Sequence, residues 1–200
     1  MYTVGVIGHL IPATRGLMLM LTPFSLLLTG SVVLADWLLR HRNEGAHLPL
    51  MVWFIAAYCF TFFVEVIGVK TGLVFGAYTY GDVLGWKVLD TPLIIGFNWV
   101  LVVAGSYSRA VTLVRNRYLT PLLTGAIALV FDLVLEQIAI RLGYWHWTGG
   151  DIPLQNYVAW FVLAALLSFP LEKIVRVRHT IPFLYVEIQF LFFVILLLWM

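Results

Sequence analysis

Six stretches of about 20 mainly apolar residues constrain the fold of this chain more than any other feature. A helix that crosses the hydrocarbon core of a bilayer needs about 20 such residues. The stretches cover residues 17–39, 50–68, 91–108, 119–140, 154–171 and 181–200. The sequence therefore predicts an all-α, polytopic membrane bundle of six transmembrane helices that forms a single domain over residues 1–200.

The scarcity of charge excludes a soluble protein. Of the 200 residues, 11% are charged and 62% are hydrophobic, whereas a soluble domain has roughly 25% charged and 45–50% apolar residues. Twelve Lys and Arg are nearly balanced by ten Asp and Glu, and the cations lie in small groups between the apolar stretches. Nucleic-acid binding is therefore not expected, and the single cysteine, Cys59, excludes an intrachain disulfide.

The first 14 residues are apolar but too short to span a bilayer. They contain Gly5, Gly8 and Pro12 and lack the basic start and cleavage site of a secretory signal. We expect an interfacial lead-in or an N-terminal extension of the first span.

The distribution of Lys and Arg predicts the orientation in the cell membrane, because cytoplasmic loops retain these residues. The first, third and fifth loops hold Arg40, Arg42, Arg109, Arg115, Arg117, Lys173, Arg176 and Arg178. The opposite side holds Arg15, Lys70, Lys87 and Arg141. Both termini and the loops 70–90 and 141–153 are therefore expected on the non-cytoplasmic side.

An internal repeat is suggested by two similar segments, EVIGVKTG from Glu65 and EQIAIRLG from Glu136. Each is followed by aromatic residues, a Gly-Asp pair, a proline and an Asn-aromatic pair. The pattern predicts a parallel repeat of two helices, spans 2–3 and 4–5, related by an axis near the membrane normal. Glu65 and Glu136 would then face each other at one depth. The alternative is that the two segments match by chance, because apolar spans draw on few residue types.

Four carboxylates lie within the predicted spans, where each costs about 2.5–3.5 kcal/mol and marks a functional candidate. They are Glu65, Asp132, Glu136 and Glu187. Asp132 and Glu136 share one helix face, so one of the two is expected to hold a proton near neutral pH, as a general acid must. The alternative is a structural role, with Glu65 and Glu136 paired to Lys70 and Arg141 or bound to polar neighbours. The role of Glu187 is left open.

Aromatic and amide side chains follow two of these carboxylates. Aromatic belts at membrane interfaces are ordinary, but an aromatic face also stabilises a nearby cation by about 0.5–2 kcal/mol. An aromatic pocket with a protonated carboxyl suits carbocation chemistry on a lipid-like substrate. The candidate substrate-binding residues are Tyr78, Tyr80, Asn98, Tyr144, Trp145, Trp147 and Asn156.

Several sequence patterns of cofactor chemistry are missing. The five histidines, at positions 9, 41, 47, 146 and 179, show no di-iron spacing. There is no GxGxxG, no GxSxG and no paired Asp-rich motif for magnesium diphosphate. We therefore expect no metal and no cofactor.

Four segments resemble the membrane-bound carotenoid 1′,2′-hydratase family. They are FFVEVIGVKTGLVFGAYTYGDVLG (62–85), TPLIIGFNWVL (91–101), FDLVLEQIAIRLGYWHW (131–147) and IPLQNYVAWF (152–161), and the resemblance extends roughly over residues 50–180. It implies addition of water across the terminal C1′=C2′ double bond of an acyclic carotenoid end. The implied partners are a carotenoid substrate, water, membrane lipid and other carotenoid biosynthesis enzymes.

A mechanism follows as a hypothesis from burial and spacing. Asp132 or Glu136 protonates C2′, and the resulting C1′ cation is shielded by Tyr80, Tyr144 and Trp147. Water positioned by Glu65, with Asn98 or Asn156, then attacks C1′.

Two other functions compete with hydration. A carotenoid cyclase also protonates a terminal double bond, but quenches the cation with an internal alkene. A proton-coupled transporter would also use repeats and intramembrane carboxylates, although here three of the four cluster in one half of the membrane.

Overall fold

The computed structural model describes residues 1–42, 45–114, 116–175 and 180–200. Within them, six helical segments are long and apolar enough to cross a membrane, which confirms the predicted all-α membrane bundle. Arg115, Arg176, Arg178 and His179, which entered the arguments on orientation and histidine spacing, lie outside the described residues. In chain order the elements are α1 (Tyr2–Leu10), α2 (Pro12–Arg40), α3 (His47–Thr71), β1 (Tyr78–Tyr80), β2 (Lys87–Val88), β3 (Thr91–Pro92), α4 (Leu93–Leu113), α5 (Leu119–Leu142), β4 (Trp145–Trp147), α6 (Leu154–Ser168), α7 (Leu171–Ile174) and α8 (Ile181–Trp199).

The N-terminal stretch forms a separate helix rather than a continuous extension of the first span. Ile11 is extended (φ −84°, ψ 116°) and separates α1 from α2. Proline disfavours the helical conformation in the preceding residue and suits the first turn of a helix, so Pro12 explains both the break and the start of α2. α1 packs against α2 and α8.

Two spans end in the same way, immediately before the loops that were predicted to be functional. α3 is capped by Gly72 and α5 by Gly143, and both glycines are left-handed, with φ of 68° and 70°. A left-handed glycine is a common helix C-cap because it carries no Cβ. Each helix therefore ends one residue after the basic residue of its last turn, Lys70 or Arg141, and an aromatic loop follows.

The central element of the bundle is α4, which contacts α2, α3, α5, α6 and α8. Within the most apolar 18 consecutive residues of α4, 83% are buried inside the protein. Small residues permit this close packing. A Cβ at Gly96 would lie 2.9 Å from the carbonyl oxygen of Tyr58, for example.

The loops after α3 and α5 are joined by a short antiparallel ladder. In it β1 pairs with β4, with Tyr78 opposite Trp147 and Tyr80 opposite Trp145. Beside the ladder, the Gly81 N–H donates to the Tyr144 carbonyl at 2.9 Å and the Thr148 N–H donates to the Ala77 carbonyl at 2.8 Å. The two loops thus form one cap over the ends of α3 and α5.

Candidate functional site

The first carboxylate under this cap is Glu65, which lies in the last part of α3 and is 5% exposed. Its Oε2 accepts hydrogen bonds from the hydroxyls of Tyr78 at 2.5 Å and Tyr80 at 2.8 Å, and its Oε1 accepts one from Trp99 Nε1 at 2.7 Å. Two donors come from the loop and one from α4. Glu65 is therefore held from both sides by groups that only donate to it.

The two tyrosines are reliable donors because they remain protonated. Burial raises the pKa of Tyr78 and Tyr80, and the Glu65 carboxylate raises both further. A phenol next to a carboxylate in a dry environment keeps its proton, since two adjacent negative charges are costly there.

The second carboxylate is Glu136 in α5, which is 2% exposed. Its Oε2 accepts hydrogen bonds from Trp145 Nε1 at 2.8 Å and Trp147 Nε1 at 2.9 Å. Alternation along β4 places both indoles on the same side of the strand, while His146 between them is exposed. Glu136 thus has the same kind of surroundings as Glu65, with two aromatic donors from the loop that follows its own helix.

The third carboxylate, Asp132, lies one turn before Glu136 and is fully buried. Asn156 of α6 joins the two, because its Nδ2 donates to Asp132 Oδ2 at 2.9 Å and to Glu136 Oε1 at 3.0 Å. The other Asp132 oxygen, Oδ1, is buried and has no hydrogen-bond partner in the described part of the chain. An unpaired buried oxygen is costly for an ionised carboxylate and much less so for a neutral acid.

Glu65 and Glu136 line one small cavity of about 30 Å³. This is room for about one water molecule. Asn98 of α4 also lines it, and the Asn98 Oδ1 is buried without a partner among the described residues. The full lining comprises Glu65, Phe75, Tyr78, Tyr80, Ile95, Asn98, Trp99, Leu135, Glu136, Trp145, Trp147, Asn156 and Trp160. We call this space the carboxylate cavity.

The comparisons with known proteins assign the family. The family profile described as carotenoid biosynthesis protein matches residues 22–200. The chain belongs to this family. A curated relative, the bisanhydrobacterioruberin hydratase of Haloarcula japonica, is 30% identical over 116 residues, which cover 54% of this chain and 40% of the relative. The match thus spans less than half of the relative's length, and no solved structure matches the chain.

In this carotenoid biosynthesis protein, the fold brings together most of the candidate residues named from the sequence. Eight of them line the carboxylate cavity: Glu65, Tyr78, Tyr80, Asn98, Glu136, Trp145, Trp147 and Asn156. Asp132 lies behind Glu136 and reaches the cavity only through Asn156. Tyr144 lines a different cavity, between α1, α2 and α8.

Two tryptophans at the site were not among the candidates. Trp99 donates to Glu65, and its ring stacks on that of Trp160 with centroids 3.9 Å apart and an interplanar angle of 21°. A sequence signal for Trp99 existed, because it is the aromatic residue of the repeated Asn-aromatic pair. Trp160 had no such signal, since a tryptophan within an apolar span is typical of a residue that only packs in the core.

The described cations do not pair with the cavity carboxylates, so the simple ion-pair alternative is not realised. Lys70 forms an ion pair with Asp90, and Arg141 donates to the Leu197 carbonyl at 3.0 Å. Glu187 pairs with Arg109 at 3.2 Å, with both side chains partly exposed. Glu187 therefore has a structural partner away from the cavity.

The repeat itself stays a prediction. The structure does show that Glu65 and Glu136 have similar surroundings and border one cavity.

Proposed function

We propose that this chain adds water across the terminal C1′=C2′ double bond of an acyclic carotenoid end and gives a tertiary alcohol. The observation that carries this proposal is the carboxylate cavity, in which two buried carboxylates and an amide oxygen with no partner among the described residues border a space the size of one water molecule. The family and the name of the hydratase relative supply the substrate class.

The acid in this scheme is the pair Asp132 and Glu136. Glu136 borders the cavity and is the member that touches the substrate, whereas Asp132 lies behind it, and its Oδ1 has no partner in the part of the chain that the structure describes. In a low dielectric, two carboxyl groups this close have a lower free energy when they share one proton than when both are ionised. Transfer of that proton to C2′ uses the electrons of the double bond and leaves a tertiary cation at C1′.

The aromatic walls stabilise that cation. Tyr80, Trp145 and Trp147 line the cavity next to the acid, and an aromatic face near a cation contributes about 2 kcal/mol in a dry site. Their polar hydrogens are already engaged by Glu65 and Glu136. The rings are therefore held in fixed orientations before any substrate enters.

Water completes the reaction. A water molecule in the cavity donates one hydrogen bond to Asn98 Oδ1 and is oriented by Glu65. Its oxygen forms the new bond to C1′, and the released proton returns to the ionised carboxyl of the acid pair. The net reaction is the addition of one water molecule to the double bond, and the acid pair returns to its initial protonation state.

The cavity has room for about one water molecule and is far smaller than the roughly 300 Å³ of ordinary ligand sites. Entry of a carotenoid end therefore requires the aromatic cap to move. The β1–β4 ladder is the element that we expect to shift, because it is short and carries four of the lining side chains.

The experiment that tests this function is expression of the chain in cells that accumulate lycopene or gamma-carotene, followed by mass analysis of the pigments. Hydration raises the product mass by one water molecule. Cyclisation leaves the mass unchanged, and proton-coupled uptake into proteoliposomes without pigment conversion would support a transporter. Either of these two results would overturn the hydratase proposal.

A matched pair of variants then tests the acid. Glu136→Gln keeps the shape and removes the acidic proton, and should reduce hydration by about 10²–10⁴-fold. Glu187→Gln, which removes a carboxylate that pairs with Arg109, should leave hydration unchanged. Equal activity of the Glu136→Gln variant and the wild type would refute the role of Glu136.

The proposed topology has both termini and the aromatic cap on the non-cytoplasmic side of the cell membrane. Cys59 is the single cysteine, so a Cys59→Ser chain allows one reporter cysteine, Thr148→Cys, at an exposed position in the loop after β4. Labelling of that cysteine by an impermeant maleimide in intact cells is expected, and labelling only after lysis would reverse the orientation.

A further inference from the structure

A second cavity, of about 330 Å³, lies between α1, α2 and α8. Its size falls at the lower end of the range of small-molecule sites, about 300–1,000 Å³. It is next to the carboxylate cavity along the chain, because Tyr144 lines the one and Trp145 lines the other. Its walls are mainly apolar and include Met18, Leu26, Phe192 and Phe193.

Two buried polar residues on this cavity have an atom without a hydrogen-bond partner among the described residues. They are Gln189 of α8, which is 2% exposed, and His9 of α1, which is 5% exposed. The unpartnered atoms are Gln189 Oε1 and His9 Nε2. An unsatisfied buried polar atom destabilises a fold, so two beside one cavity indicate a ligand that completes them.

Both atoms are hydrogen-bond acceptors. His9 Nδ1 lies 2.7 Å from the Gly5 carbonyl oxygen, which can only accept, so the ring proton is on Nδ1. The neutral imidazole then presents a lone pair at Nε2, and an apolar cavity disfavours the charged ring. Gln189 Oε1 is a carbonyl oxygen. Each of these two atoms, unpartnered among the described residues, therefore needs a donor and not an acceptor.

We propose that this second cavity binds the hydroxyl-bearing end of an isoprenoid chain. The hydroxyl hydrogen satisfies one of the two acceptors, and the branched hydrocarbon next to it fills the apolar walls. A pure hydrocarbon would leave both acceptors unpaired. A charged lipid headgroup would find no Lys or Arg side chain to pair with among the described residues of the lining.

This inference rests on the proposed function for the nature of the ligand, since a tertiary alcohol is the end that hydration creates. The cavity would hold the product end beside the place where it forms, separated from the carboxylates by the Tyr144–Trp145 segment. Hydration itself does not depend on this site.

The experiment measures binding without turnover. The protein carries Glu136→Gln, is reconstituted in nanodiscs, and is titrated with an acyclic carotenoid that has one terminal tertiary hydroxyl and, separately, with the parent hydrocarbon. Quenching of tryptophan fluorescence by the polyene reports binding. We expect the hydroxylated carotenoid to bind about tenfold more tightly, the effect of one hydrogen bond to a buried acceptor.

Two independent variants assign that preference to the second cavity. Gln189→Leu and His9→Phe should each reduce the preference for the hydroxylated carotenoid and leave the affinity for the hydrocarbon unchanged. Ser106→Ala is the matched control, because Ser106 Oγ is also buried without a partner in the described residues but lies outside this cavity. Thermal unfolding of each variant confirms that it is folded.

Equal affinity for the two carotenoids, or a preference that survives both substitutions, would overturn the inference and leave a cavity that binds water or lipid chains only. The result is separable from the proposed function. Cells that fail to hydrate the pigment would refute the hydratase proposal, yet selective binding of the alcohol by the Glu136→Gln protein would still stand.

Discussion

Tyr78 and Trp147 lie opposite each other in the β1–β4 ladder, and each donates its polar hydrogen to a different buried carboxylate. Tyr78 binds Glu65 at 2.5 Å and Trp147 binds Glu136 at 2.9 Å, while their ring centroids are 5.1 Å apart. One pair of facing residues thus couples the two carboxylates through backbone pairing. Any shift of this ladder changes the hydrogen bonding of both acids together.

Replacement of Asn98 by alanine should lower the hydration rate and leave stability nearly unchanged. The Asn98 Oδ1 has no partner in the described chain, so its loss breaks no bond between side chains that holds the fold. If it positions the attacking water, the rate falls by about 10²-fold. Pigment conversion and the thermal unfolding midpoint of Asn98→Ala, compared with Ser106→Ala, check this. A fully active Asn98→Ala protein would contradict the assigned water site.

Replacement of Asn156 by leucine should destabilise the protein as well as inactivate it. The variant removes the donor that Asp132 and Glu136 share, and buried hydrogen bonds to charged or acidic groups are worth about 2–3 kcal/mol. Gln155→Ala is the neighbouring control, because Gln155 is exposed and bonds the Leu73 carbonyl. The measurement is thermal unfolding in detergent. An unchanged midpoint for Asn156→Leu would show that the bridge contributes nothing to stability.

Replacement of Gly81 by alanine should separate the two loops of the cap. A Cβ at this position would lie 2.1 Å from the Gly143 carbonyl oxygen, and the backbone there cannot give way as a flexible side chain would. We expect loss of hydration and a lower unfolding midpoint, because the β1–β4 ladder must shift. Gly16→Ala is the control, since a Cβ at Gly16 meets nothing within 4 Å. Retention of activity in Gly81→Ala would mean that the cap tolerates this displacement.

The Lys70–Asp90 ion pair should stabilise the protein at neutral pH and cease to do so in acid. A hydrogen bond from Lys70 and its charge lower the pKa of Asp90. A carboxyl with a lowered folded pKa contributes stability above its unfolded pKa, about 3.9, and loses it as the pH falls through the folded value. Both side chains are exposed, so the effect is small and salt-sensitive.

The measurement is the difference in unfolding midpoint between wild type and Asp90→Asn from pH 3 to 7. The difference should be present at pH 6 and vanish below the folded pKa. A difference that grows in acid would have the wrong sign for this pair.

The sequence was sufficient to predict the spans because a bilayer imposes one dominant requirement, a long apolar helix. It was also sufficient to nominate the carboxylates, since a charge within such a helix is costly and needs a reason. The hydrogen-bond partners of these carboxylates were harder to predict from the sequence. Trp99 is 34 residues from Glu65 along the chain, and its contact depends on how α4 packs against α3.

Local geometry also decided between neighbouring aromatic residues that look equivalent in the sequence. Tyr144 and Trp145 were both expected to bind the substrate, but the turn after Gly143 directs them into different cavities. Asp132 and Glu136 share a helix face, yet only Glu136 borders the carboxylate cavity. Spacing along a helix or a loop predicts the direction of a side chain, but it does not predict which residues or which cavity that side chain will contact.

By itself, the sequence determined that this is a six-span helical membrane protein with acidic groups concentrated in one half of the bundle, because hydrophobicity and the cost of buried charge act residue by residue. The tertiary structure alone decided which donor satisfies each carboxylate, where a water molecule fits and which candidates lie apart. Those properties depend on contacts between distant segments, and such contacts are fixed only when the helices pack and the two aromatic loops pair.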